Sequence, residues 1–114
     1  MPRNGPGNQT DYFLWKQVSV VGMQHHDFKG ELHKIKPGAM LVLEREYMNQ
    51  YDVNAIMVRD PVSNGKVGYI AKTSNVDVAR FMDNGYDPKA YVQVSDGITL
   101  ILNLWMKRLN ENPN

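Results

Sequence analysis

A chain of 114 residues, 42% of them hydrophobic, holds one domain at roughly 100–200 residues per domain and excludes a two-domain enzyme. It has no cysteine, which removes disulfide frameworks, thiolate metal sites and cysteine nucleophiles together and fits a reducing compartment. Thirteen Lys and Arg against twelve Asp and Glu give a net charge of +1, far from the basic excess of a domain that grips nucleic acid by bulk charge, and no stretch forms a charged tail. The start, MPRNGPGNQT, lacks the apolar segment of a signal peptide, and no run approaches the roughly 18 apolar residues of a membrane helix. The expectation is a soluble, cytoplasmic protein with no membrane partner.

Residues 1–10 are Pro, Gly, Asn and Gln with little to bury and read as a flexible lead-in, with 110–114 a matching tail and the folded domain over 11–109. Aromatic and β-branched residues from Tyr12 to Val21 predict a first strand, and Gly22 a bend. The stretch 23–38, broken by Gly30 and Pro37–Gly38, reads as a polar loop with room for one helical turn. Met40 to Arg45 and Ala55 to Arg59 predict two strands about a short polar loop. Asn64–Gly65 signals a hairpin into a returning strand, KVGYI. The apolar period then changes. Ser74 is placed to cap a helix with Asp77 three residues on, Val76, Ala79, Phe81 and Met82 offer its apolar face, and Asn84–Gly85 stops it. Two further strands, Ala90 to Val94 and Ile98 to Met106, flank an Asp96–Gly97 turn. Trp15 and Trp105 read as packing residues, and Met40, Met57 and Met82 as fillers of core gaps.

This order predicts a mostly β protein with one or two short helices: a small OB-like or SH3-like antiparallel β-barrel of about six strands, with the helix inserted after strand four. Closing the sheet removes the exposed edges that promote aggregation.

Several chemistries are absent. GYIAKT (Gly68 to Thr73) lacks the second glycine of a phosphate-cradling loop, and neither G-x-S-x-G nor H-E-x-x-H occurs. No catalytic residue and no metal ligand is assigned, and no cofactor is expected. His25 and His26 are adjacent, and neighbours on an extended chain point opposite ways, so they are poorly placed to share an ion.

The informative string is NQYDVNAI, Asn49 to Ile56. It sets a ring, Tyr51, beside a carboxylate, Asp52, between two strands and flanked by the amides of Asn49 and Asn54. A planar ring offers a base a stacking surface worth roughly 1–3 kcal/mol, and a carboxylate accepts from a sugar hydroxyl. The residues alone leave a second reading open, in which Tyr51 packs on the sheet while Asp52 and Asn54 cap backbone amides.

VVGMQHH (Val20 to His26), the KPG before a strand, LEREYMNQYDVNAIMV (Leu43 to Val58), KVGYIAK (Lys66 to Lys72) and FMDNG (Phe81 to Gly85) together resemble the HIRAN domain, over about Val18 to Trp105. The resemblance implies an OB-like barrel that binds single-stranded DNA at its 3′ end, where two rings sandwich terminal bases, an aspartate reads the free hydroxyl and basic side chains hold phosphates. By position, it assigns the ring and the aspartate to Tyr51 and Asp52, a phosphate contact to Lys72, a neighbouring polar or aromatic site to Tyr69, and loop scaffolding to Asn54 and Ala55. The first loop departs from the pattern. Gln24, His25 and His26 stand where well understood members carry a basic residue and two tyrosines, and DGITL (Asp96 to Leu100) has no ring for a late aromatic contact. Histidine still stacks and, when protonated, contacts phosphate, but with a smaller ring and partial charge.

The expectation is a non-enzymatic module for single-stranded DNA with a free 3′ hydroxyl, acting in repair or replication-fork processing beside a helicase or nuclease. Tyr51 and His25 stack, Asp52 reads the hydroxyl, and Lys72, His26 and Gln24 lie near phosphates. Lys16, Lys29, Lys34 and Lys36 are a candidate extension of the phosphate track. Two alternatives are a protein-interaction adaptor on the same barrel and a metal-dependent hydrolase using His25, His26 and Asp52.

Overall fold

The computed structural model describes residues 4–109. Six antiparallel strands, β1 (Tyr12–Val21), β2 (Met40–Arg45), β3 (Ile56–Arg59), β4 (Lys66–Ile70), β5 (Lys89–Ser95) and β6 (Leu100–Lys107), close a barrel in the order β1-β4-β3-β2-β5-β6. One helix, α1 (Lys72–Asp83), follows β4, as the order of apolar periods predicts. Inward-facing side chains from every strand, among them Val18, Leu41, Ile56, Val67, Val92 and Leu102, form one core with Val78 and Ala79 of α1.

Two strands lend residues to closure at the seam where β1 meets β4, through the pairs Val20–Ile70 and Val21–Tyr69. This approach requires Gly68: a Cβ there would lie 2.6 Å from the Val21 carbonyl oxygen. The hairpin at Asn64–Gly65 forms as its turn residues predict, with Asn64 in the left-handed region at φ 61°.

Several boundaries differ from those the residue pattern predicts. The helix starts at Lys72 with Ala71 as its N-cap and without a capping side chain, so Ser74 lies inside the first turn. Its start is set by β1, because the Ala71 N–H donates to the Ser19 carbonyl (2.9 Å) and ties the end of β4 to the barrel. The buried face of α1 is Asn75, Val78 and Ala79. Val76, one residue round the helix, is 47% exposed, and Phe81 lies at the surface against the rings of Trp15 and Tyr86. Ala55 belongs to the loop before β3, and Ile98 to an exposed turn in which Asp96 Oδ1 accepts the N–H groups of Ile98 and Thr99. The 23–38 stretch carries two short 3-10 turns, Met23–His25 and Leu32–Lys34, and sends Met23 and Ile35 into the core. Met40 is 43% exposed rather than a core filler.

The lead-in also finds something to bury. The Asn4 carbonyl accepts from Trp105 Nε1 (2.9 Å) and Asn103 Nδ2 (3.0 Å), and Pro6 is buried. The expected tail, 110–114, lies outside the described residues.

Candidate functional site

The loop from Glu46 to Ala55 is held by its own polar side chains. Asn49 Oδ1 accepts the backbone N–H groups of Tyr51 (2.8 Å) and Asp52 (2.9 Å), the local bond that Asn makes readily in turns. Asn49 Nδ2 donates to Glu46 Oε1 (3.0 Å), and the Tyr69 hydroxyl, reaching over from β4, donates to the same oxygen (2.7 Å). The Arg45 guanidinium clasps the other limb by donating to the carbonyls of Ala55 (2.7 Å) and Val53 (3.0 Å), while pairing with Asp83 at the end of α1 (2.8 Å).

This scaffold presents two groups in opposite states. The Tyr51 ring is 85% exposed, and no other ring or cation covers it among the described residues. Asp52 is half-buried and anchored through both oxygens: Oδ1 accepts the Asn54 N–H (2.9 Å) and Oδ2 accepts from Asn75 Nδ2 (2.8 Å). The Asn54 N–H bond, then the Asn75 bond and the charges of Lys72 and Arg45, hold the Asp52 carboxyl below its ordinary value against the opposing push of burial. Burial pushes Glu46 up, but the bonds from Tyr69 and Asn49 and the charges of Lys66 and Arg59 outweigh it and leave Glu46 lowered. Burial, with the bond to Glu46, pushes the Tyr69 hydroxyl up to about 12, so it serves as a fixed donor.

A cleft of roughly 300 Å³ opens between this loop, the β1–β4 seam and the first turn of α1, lined by Val21, Tyr51, Asp52, Tyr69, Lys72 and Asn75 among others. Larger hollows lie elsewhere, one of about 790 Å³ beside Tyr12, Tyr86 and Arg108. The smaller cleft is the better candidate because an open ring, an ionised carboxylate and an ammonium converge there. Lys72 forms no ion pair among the described residues and stands in the first turn of an uncapped helix, where backbone N–H groups and the helix dipole also favour an anion. By contrast, Lys16 pairs with Asp77 and Lys34 with Glu31, so half of the supposed lysine track is already committed.

Of the residues singled out in the sequence, the fold brings Tyr51, Asp52, Tyr69 and Lys72 to one cleft. Asn54 contributes through its backbone N–H to Asp52. His26 reaches the rim by packing edge-on against Tyr69, with ring centroids 5.5 Å apart. Gln24 and His25 are exposed on the 3-10 turn and do not line the cleft. The trio His25, His26 and Asp52 forms no metal-binding group among the described residues. Asp52 does cap a backbone amide, whereas Tyr51 does not pack on the sheet. Asn75, Glu46 and Arg45 carry the site's scaffold without having been expected to. The available signal for Asn75 was its spacing, three and four residues before the buried Val78 and Ala79.

The model of the HIRAN domain family matches residues 16–105. A crystal structure of a protein from Lactobacillus plantarum superposes with a TM-score of 0.76 at 35% identity, over 85% of this chain and 97% of that one. The crystal structure of the HIRAN domain of human HLTF follows with a TM-score of 0.66 at 25% identity, over 88% of this chain and 84% of that one. The NMR structure of the HLTF HIRAN domain gives 0.59 at 26% identity, over 88% and 83%. No functionally curated protein matches the chain significantly.

Proposed function

The chain belongs to the HIRAN domain family, a family of nucleic-acid-binding modules, and we propose from that premise that this member binds single-stranded DNA by its free 3′-hydroxyl end. The terminal base stacks on Tyr51, for roughly 1–3 kcal/mol. Asp52, ionised and fixed, accepts a hydrogen bond from the terminal hydroxyl and repels a terminal phosphate. Lys72 at the helix start meets the last internucleotide phosphate, and His26 and Tyr69 form the wall beside it. His25 and Gln24 follow the strand as it leaves the cleft, His25 as a second stacking ring.

The observation that carries this reading is the juxtaposition of an uncovered ring and an anchored carboxylate in one small cleft with an unpaired lysine. It is a binding site, with no catalytic residue or cofactor assigned, and its place is beside a helicase or nuclease in repair or replication-fork processing. Fluorescence anisotropy with three oligonucleotides tests it. Tighter binding to a 3′-hydroxyl end than to a 3′-phosphate or a strand without ends is expected, and equal affinity for all three overturns it.

A protein-interaction adaptor is the second reading, favoured by the exposed Met48 (94%) and Val53 (71%) on the same loop. Absence of binding to any strand at low salt would favour it.

A further inference from the structure

Asn75 and Asn103 are the two polar side chains fully buried among the described residues, and they serve different ends. Asn103 is spent on structure: it accepts from Gln17 and donates to Gln93 Oε1 and the Asn4 carbonyl, pinning the N-terminal segment to the sheet. Asn75 sits on the inner face of α1 at 2% exposure, where an apolar residue would pack at no desolvation cost and Ala would favour the helix more. Its amide donates to a side chain of the cleft, Asp52 Oδ2, at 2.8 Å.

The loop does not need that bond in order to close. Asn49 already holds the N–H groups of Tyr51 and Asp52, the Ala55 N–H donates to the Asp52 carbonyl, and Arg45 holds the carbonyls of Val53 and Ala55. What remains loose without Asn75 is the carboxylate itself. Rotation about the last torsion of an aspartate is broad, and one anchor, the Asn54 N–H on Oδ1, leaves the second oxygen free to swing. Two anchors on two oxygens fix the plane of the group, leaving each oxygen a remaining lone pair for a ligand.

We infer that Asn75 is the positioning residue for Asp52: its buried amide sets the orientation in which the carboxylate accepts a terminal hydroxyl, and so sets discrimination between a hydroxyl and a phosphate end. This rests on the end-reading function proposed above. The charged groups facing Asp52 are Lys72 from α1 and Arg45 from β2, and both remain in the variants below.

Two substitutions remove the donor with opposite effects on volume, Asn75→Leu and Asn75→Ala. Two readouts are followed in each, with folding checked by thermal melting. The first is the ratio of affinities for 3′-hydroxyl and 3′-phosphate strands. Both variants are expected to lower it by about tenfold, the effect of losing one charge-assisted bond, while phosphate-end affinity stays within about twofold. The second is the titration midpoint of the Asp52 carboxyl carbon, followed by NMR without DNA, which is expected to rise in both. A purely packing role predicts that Leu and Ala differ in melting temperature while the ratio and the midpoint stay put in both, which overturns the inference. If the wild-type protein fails to distinguish ends, the end-reading function falls, and the midpoint alone decides whether Asn75 holds the carboxylate: a rise supports it and an unmoved midpoint refutes it.

Discussion

The two loops that flank the cleft are built differently. The 46–55 loop is cross-braced by side chains from three other places in the fold, Tyr69 on β4, Asn75 on α1 and Arg45 on β2, so its exposed ring rides on a rigid frame. The first loop closes its 3-10 turn with backbone bonds, His25 N–H to Gly22 and His26 N–H to Met23, and touches the cleft through one edge-on ring contact. Recognition that depends on precise placement therefore belongs to the first of these, and adjustable contact with the strand to the second. A braced loop presents its groups with little entropy left to lose on binding, whereas a surface turn must order its side chains at that moment.

Substitutions sharpen this contrast. Tyr51→Ala is expected to weaken strand binding most, by about 1–3 kcal/mol, with little change in thermal stability, because the residue is 85% exposed; anisotropy and melting together check it. Asn49→Ala strips the acceptor from two loop N–H groups and is expected to cost about 1–2 kcal/mol of stability, seen as a drop of several degrees in Tm, with weaker end selectivity as a consequence. Alanine at the exposed Gln24 or His25 should leave both stability and selectivity closer to wild type.

Acid acts on the braced loop in the same sense. Asp52 and Glu46 are both held below their ordinary values. A depressed folded value contributes stability above the unfolded-chain range, near pH 4, and the contribution is lost as pH falls through the lower folded value. Melting between pH 7 and pH 3 is thus expected to show wild-type stability falling below about pH 4, and Asp52→Asn falling less steeply. The smallest effect is expected in the first loop. Gln24→Arg should tighten binding about threefold at low salt and steepen the salt slope by about 0.7, the increment for one phosphate neutralised on a single strand.

The strands were legible where the pattern is local. Met40–Arg45 and Lys66–Ile70 are short apolar runs bounded by turn residues, and they form over those residues. The Tyr51–Asp52 pair was legible as a ring beside a carboxylate on a loop. What the string could not show was which groups hold it there. Asn75 lies 23 residues from Asp52, as Tyr69 does from Glu46, and each pair meets only through tertiary structure, Tyr69 because β4 and β2 flank β3 and Asn75 because α1 folds back against the loop. The same holds for the helix start, set by a bond from Ala71 back to Ser19, and for the lead-in, whose Asn4 meets Trp105 across 101 residues. Near-neutral charge, which argued against bulk attraction, fits a chain in which, among the described residues, five basic side chains spread over the surface are paired with carboxylates, while Lys72 at the cleft forms no ion pair.

End reading by the cleft is tested most directly by following backbone amide shifts by NMR as a short single strand with a 3′ hydroxyl is added. The largest changes are expected at Tyr51, Asp52, Asn54 and Lys72, smaller ones at Gln24, His25 and His26, with a marked reduction at Asp52 when the strand ends in a phosphate. Changes centred instead on the hollow beside Tyr12, Tyr86 and Arg108, or identical for both ends, would contradict it.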